Sequence, residues 1–202
     1  LADSLAAVCR FAEAHGSGML ASVLILDRDG HHLRHGAAPS LPAEYCCAID
    51  GIEIGPAVGS CGTAAYRHAQ VIVTDITTDP LWQEYRDLAA RHSLRACWST
   101  PITGPDGILF GTFAIYYREP RAPGAEHEQL IRIATHTASL ALHRARAAAH
   151  LQASEERFGR AFGASPVPMI VTTFAQGRVI DANGSFVRTF GYSAKSDLVG
   201  RT

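Results

Sequence analysis

Apolar residues at Leu5, Val8, Cys9 and Ala12 recur on one helical face, predicting a first helix capped by Asp3 or Ser4 and ended by Gly16. Residues 19–26 are almost continuously apolar, which predicts a strand covered on both faces. Asp27-Arg28-Asp29-Gly30 then reads as a hairpin turn, with residues 31–35 returning antiparallel. Residues 36–54 mix prolines and glycines with a short helical piece at 44–49, a long connection of the kind that walls a pocket.

The middle of the chain is punctuated more sharply. Gly55-Pro56-Ala57-Val58-Gly59-Ser60-Cys61-Gly62-Thr63-Ala64-Ala65-Tyr66 reads as a glycine turn entering a short helix. A strand follows at 70–74, then a helix at 80–92, with Asp79 as its cap and Pro80 in its first turn. Strands at 94–102 and 108–117 flank a turn at Gly104-Pro105-Asp106-Gly107. Strands joined by both tight turns and helices predict an α+β fold with an antiparallel-rich central sheet flanked by helices. Along 94–102, alternation sets Leu94, Ala96 and Trp98 on one face and Arg95, Cys97 and Ser99 on the other; the second, more polar face is the candidate pocket wall.

From Gly124 no proline or glycine interrupts the chain until Gly159, which predicts an unusually long helix. Leu130, Ile133, Thr137, Leu140, Arg144, Ala147, Leu151, Ser154 and Phe158 recur at spacings of three and four. The expectation is that the stripe from Leu130 to Leu140 packs on the domain's own sheet. Past Arg144 little core is within reach, so the stripe is read there as the seam of a homodimer.

Composition narrows the function. A net charge of −1 and basic residues scattered along the chain exclude a polyanion-binding face, so nucleic acid is not an expected partner. No apolar run approaches the ~20 residues that span a bilayer, and the expected location is the cytoplasm. Five cysteines without regular spacing suit a reducing compartment. Ten histidines form no metal-binding pattern and are read as solvated. Trp82, Tyr85 and Leu88 share a helical face, either as core or as the wall of a cavity. Cys61, at the start of a helix, is either a reactive thiolate or a small side chain packed in a tight turn, and the second reading is favoured. Asp75 is read as a cap or turn residue, and no catalytic constellation emerges.

The ordered blocks around residues 55–66, Val71-Ile72-Val73-Thr74-Asp75, Asp79-Pro80-Leu81-Trp82, Leu94-Arg95-Ala96-Cys97-Trp98-Ser99-Thr100-Pro101-Ile102 and residues 109–117 resemble a GAF domain, a small-molecule sensor module. Further on, Ser154-Glu155-Glu156-Arg157-Phe158, Ser165-Pro166-Val167-Pro168-Met169-Ile170-Val171, Ile180-Asp181-Ala182-Asn183-Gly184-Ser185-Phe186 and Phe190-Gly191-Tyr192-Ser193 resemble the first half of a PAS domain. The resemblance implies a GAF core at 1–122, a helix at 123–158 that completes it and links onward, and an incomplete PAS segment at 159–202. It implies a non-enzymatic sensor in a bacterial signalling protein with a histidine kinase or a GGDEF or EAL cyclic-dinucleotide enzyme as output. Tyr45, Cys47, Cys61, Thr63, Trp82, Tyr85, Cys97 and Ser99 are the candidate ligand-binding residues. Leu130, Ile133, Thr137, Leu140, Ala147 and Leu151 are the candidate signalling-helix residues. Haem or a covalent bilin is compatible with the family but not favoured. Two alternatives stand beside the sensor: a thiol-dependent enzyme similar to free methionine sulfoxide reductase, which carries a like Val-Cys-Gly-Thr-Ala stretch, and a structural dimerisation module without ligand.

Overall fold

The computed structural model describes all 202 residues. It divides into two compact units, residues 1–145 and 146–202. The first unit is a six-stranded sheet between two helical layers. Helix α1 (Ala2–His15) leads into β1 (Leu20–Leu26) and β2 (His32–Ala37). After α2 (Ala43–Ile49) come β3 (Ile52–Glu53), α3 (Gly59–Arg67) and β4 (Val71–Val73). A single 3-10 turn, Pro80–Trp82, precedes α4 (Arg86–Arg91), and β5 (Ala96–Thr103) and β6 (Leu109–Tyr117) complete the sheet. The spatial order is β3-β2-β1-β6-β5-β4, and every pair is antiparallel.

β6 lies at the centre of the sheet, paired to β1 and β5, and each of its nine residues is buried. Alternation therefore feeds two cores. Phe113, Ile115 and Tyr117 join Trp98, Ile102, Val23 and the α1 face Leu5, Val8, Cys9 and Ala12 on one side. Ala114 and Tyr116 join Cys97, Leu24, Tyr45, Cys61 and Trp82 on the other.

Several expected boundaries move. Helix α1 begins at Ala2 with no side-chain cap, so neither Asp3 nor Ser4 takes that role. The helix expected over 80–92 is broken into the 3-10 turn and α4. Asp79 accepts from the Leu81 backbone N–H at 2.9 Å, and Tyr85 sits at φ −111° between the two pieces. The long helix α5 (Ala125–Ala164) continues through Gly159 and Gly163, since glycine lowers helix stability without forbidding the conformation.

The packed face of α5 is also rotated from the expected one. Leu130, Ile131, Ala134, Ala138 and Leu142 are buried, whereas Ile133, Thr137 and Leu140 are exposed. A sheet needs a close, flat partner, and the alanines at 134 and 138 provide it. The heptad-like stripe beyond Leu130 is left on the outside.

In the second unit, β7 (Ile170–Thr172) and β8 (Val179–Ala182) form an antiparallel hairpin followed by α6 (Gly184–Thr189). A small core of Val179, Ala182 and Leu198 is packed by Phe186 and Val187. Asn183 holds this unit together. Its Oδ1 accepts from the backbone N–H groups of Met169 (3.0 Å) and Phe186 (2.8 Å), and its Nδ2 donates to the carbonyls of Phe162 (3.1 Å) and Val167 (2.8 Å).

Candidate functional site

Opposite α1 and α5, the sheet is roofed by α2, α3, the 3-10 turn and α4. The glycine turn makes the roof fit. Gly59 opens α3 at φ +52°, and a Cβ at Gly62 would meet Val58 side-chain carbons at 2.7 Å. Thr63 Oγ1 accepts from the Val58 backbone N–H at 3.0 Å, fastening the turn to the helix it starts.

Beneath this roof is a chamber walled by Leu24, Tyr45, Ile49, Ile52, Val58, Gly59, Ser60, Cys61, Trp82, Tyr85, Leu88 and Tyr116. Its volume is about 20 Å³, the room of a single water molecule. Trp82 forms part of its wall and is only 3% exposed. Asp79 and Pro80 start the turn that carries Trp82, and the indole Nε1 donates to Ser60 Oγ at 3.0 Å. Ser60 in turn donates to the Cys97 carbonyl at 3.0 Å. One hydroxyl thus ties the lid to the central sheet.

The sheet beneath is unusually polar for a core. Tyr116 stands opposite Cys97 on β5 and Leu20 on β1, and its hydroxyl lies 3.7 Å from Cys61 Sγ. Tyr45 meets Tyr116 edge to face, ring centroids 5.8 Å apart. Ser22, Ser99 and Thr112 are buried on the same face of the sheet. The Cys97 thiol, hydrogen-bonded to Cys61, brings Cys61 down to about 7 against the opposing pull of burial; Ser99, Tyr116 and Thr112 add to the lowering. Burial, followed by the neighbouring Cys61, pushes Cys97 well above the ordinary thiol range.

Of the eight candidate residues, the structure places Tyr45, Cys61, Trp82 and Tyr85 in the chamber wall. Cys97 and Ser99 lie buried beneath it on β5, and Thr63 is buried in α3. Cys47 is exposed on α2, outside the wall, while its neighbour Cys46 is buried. Arg95 precedes β5 and pairs with Asp75 (3.1 Å), whose Oδ1 also accepts from the Thr77 N–H (3.0 Å) and hydroxyl (2.7 Å). Ser60 and Tyr116 were missed. Alternation along 112, 114 and 116 places Tyr116 on the polar face, but only the pairing of β5 with β6 sets it against Cys97. The histidines are not all solvated: His127 is 7% exposed, its Nε2 3.1 Å from Tyr117 Oη and its Nδ1 accepting from the Gly124 N–H at 2.9 Å.

Among the helix residues, Leu130 is buried in the sheet interface, while Ile133, Thr137, Leu140, Ala147 and Leu151 are exposed. Alongside the exposed stripe, Leu1, Ser4 and Phe11 of the N-terminal segment line shallow grooves with Ile133, Thr137 and Leu140.

Residues 1–143 match the family pattern described as GAF domain, and residues 156–202 match that described as PAS domain. The chain is 35% identical over 198 residues to the methyl sulfide methyltransferase-associated sensor of Methanosarcina acetivorans, covering 98% of this chain and 20% of that protein. It therefore spans about a fifth of the curated relative's length. Among solved structures, the GAF domain/HD domain protein from Geobacter sulfurreducens superposes with a TM-score of 0.57 at 15% identity, over 72% of this chain and 93% of that one. The type II free methionine-R-sulfoxide reductase from Thermoplasma acidophilum superposes with a TM-score of 0.55 at 20% identity, over 70% and 92% of the two chains. At such identities these likenesses speak for the fold alone. No helix is long and apolar enough to cross a membrane.

Proposed function

The chain belongs to the GAF domain family, and from that premise we propose that its first unit is a non-enzymatic sensory module. In this reading a small molecule occupies the chamber under Trp82, and the answer leaves through α5 toward the PAS segment. The output is then a histidine kinase or a cyclic-dinucleotide enzyme elsewhere in a longer cytoplasmic signalling protein. A relative named as a sensor over nearly the whole of this chain supports a sensory, regulatory role.

The observation that carries the ligand reading is the latch. Trp82, on a three-residue turn, walls a chamber together with Ser60, Cys61 and Tyr116, and a single hydroxyl secures it. At about 20 Å³ the chamber has room for a single water molecule. A guest larger than water enters only when Trp82 leaves Ser60, so binding selects a conformation in which the 80–91 segment has moved. The exposed stripe Ile133, Thr137, Leu140, Ala147 and Leu151 is the proposed homodimer seam, through which a shift in the sheet would be felt by the partner.

Native mass spectrometry of the purified chain tests the ligand. The expected result is a retained small molecule released on unfolding, and fewer adducts in Trp82→Ala. Bare protein, together with no melting shift across a metabolite panel, would overturn it.

The small volume also favours a second reading, a dimerisation module with a filled core, which predicts that bare-mass result alongside an intact dimer. The reductase reading predicts turnover of free methionine sulfoxide that is lost in Cys61→Ser or Cys97→Ser.

A further inference from the structure

His127 is buried at the head of α5, outside both the chamber and the proposed seam. It stands where a helix-capping side chain stands. The Gly124 carbonyl accepts from the His127 and Glu128 backbone N–H groups at 3.0 and 3.3 Å, so Gly124 is the cap position and His127 the third residue after it. In return the Gly124 N–H donates to His127 Nδ1 at 2.9 Å. That is the reciprocal bond of a capping box, which a glutamate or glutamine ordinarily supplies at this place. Histidine differs from both, because a single proton turns its acceptor nitrogen into a donor.

The other ring nitrogen ties the cap to the sheet. With Nδ1 accepting, the neutral ring carries its hydrogen on Nε2 and donates it to Tyr117 Oη, 3.1 Å away. Tyr117 is the last residue of β6, and burial pushes its phenol up, so it stays neutral where histidines titrate. The ring also meets Trp98 of β5 edge to face, centroids 5.0 Å apart, and the Trp98 indole N–H donates to the Arg121 carbonyl at 3.0 Å in the connection that leads into α5. His127 thus clasps the first turn of α5 to β5 and β6.

A second proton on the ring has one place to go, Nδ1, and the Gly124 N–H already points there. Two hydrogens cannot share that line, so the bond to Gly124 must break. A replacement acceptor stands beside it: Glu126 Oε1 lies 3.3 Å from Nδ1, on an exposed carboxylate. Two further basic groups face this corner. The Arg121 guanidinium sits over the Tyr117 ring at 4.5 Å and reaches Glu119 at 3.6 Å. On α1, His15 shares a groove with His127 and Glu126, and its Nδ1 donates to the Phe11 carbonyl at 2.7 Å.

We propose that His127 is a proton-operated clasp: neutral, it binds the Gly124 N–H and holds the start of α5 to the sheet; protonated, it exchanges Gly124 for the Glu126 carboxylate and loosens that turn. Histidine side chains change charge between about pH 5 and about pH 8, the range in which such an exchange acts. That α5 carries a signal is the reading argued above, and the exchange of partners at Nδ1 stands without it.

The test is nuclear magnetic resonance of the isotopically labelled full chain, titrated from about pH 8 to about pH 5. The scalar coupling across Gly124 N–H···Nδ1 should be present at the upper end and lost at the lower, as the ring nitrogens take on the shifts of an imidazolium. Hydrogen exchange, corrected for its intrinsic pH dependence, should accelerate about tenfold at Gly124, the worth of one hydrogen bond, while β6 keeps its protection. In His127→Gln, whose side-chain oxygen accepts at every pH, exchange at Gly124 should no longer depend on pH. Persistence of the coupling on a protonated ring would overturn the proposal, as would a ring that stays neutral throughout. Loss of the coupling together with β6 protection would also overturn it, by showing unfolding in place of a change of partner. None of these outcomes bears on a ligand in the chamber, which the mass measurement decides.

Discussion

Trp82 donates its indole N–H to Ser60 Oγ across 3.0 Å, and both side chains are almost wholly buried. The same hydroxyl donates to the Cys97 carbonyl. Ser60→Ala removes both bonds and leaves the buried indole N–H without its partner, at a cost of about 1–3 kcal/mol. Urea unfolding should show a loss of that order, and Trp82 should become more accessible to a fluorescence quencher than in wild type. Unchanged quenching would mean that packing alone holds the lid.

Leu140 and Leu151 are 44% and 60% exposed on the outer stripe of α5. Replacing both with Glu should abolish dimerisation in analytical ultracentrifugation while leaving the fold of each chain intact by circular dichroism. A persistent dimer would refute the proposed seam.

Asp75 braces the approach to β5. Its hydrogen bond from the Thr77 hydroxyl, then that from Arg95 and that from the Thr77 N–H, hold its carboxyl at about 2, below the ordinary 3.8. Because the folded value is the lower one, the stabilisation is full above pH 3.8 and is lost as pH falls toward 2. Melting temperature against pH should fall less steeply across this window in Asp75→Asn than in wild type. Parallel curves would exclude the carboxylate as a source of acid sensitivity.

The Asn183 side chain bonds five backbone groups in the second unit at once. Asn183→Ala should unfold that unit, because about 1–3 kcal/mol is lost for each buried group left unpaired and its core is small. Hydrogen exchange would report it as fast exchange across Ile170–Thr172 and Val179–Ala182, with protection of β6 unchanged. Retained protection in β7 would show that other contacts suffice.

How far the sequence carried the reading depends on the range of the physics involved. The apolar face Leu5, Val8, Cys9 and Ala12 was legible because helical periodicity acts within a few turns, and Asp79-Pro80 because capping is a local hydrogen bond. Leu130 and Ile133 mark the boundary of that legibility. Both are apolar and both fit the stripe, yet one is buried and the other is 45% exposed. Spacing names a face but not its partner, and the alanines that let α5 approach the sheet give no strong apolar signal.

The candidate site shows the same division. Tyr45, Cys61, Trp82 and Tyr85 could be named from their place in turns and stripes, whereas Cys47 could not be told from Cys46 until α2 set one inward and the other outward. The chain alone determined an α+β domain of GAF type followed by a PAS beginning, since turn chemistry, capping and alternation are written in neighbouring residues. Only the tertiary structure decided that Cys61 lies beside Tyr116, which stands opposite Cys97, that Ser60 latches Trp82, and that Ser60, Cys61, Trp82 and Tyr116 wall one small chamber. Those contacts join residues tens of positions apart, brought together by strand pairing and by the packing of α3 on the sheet.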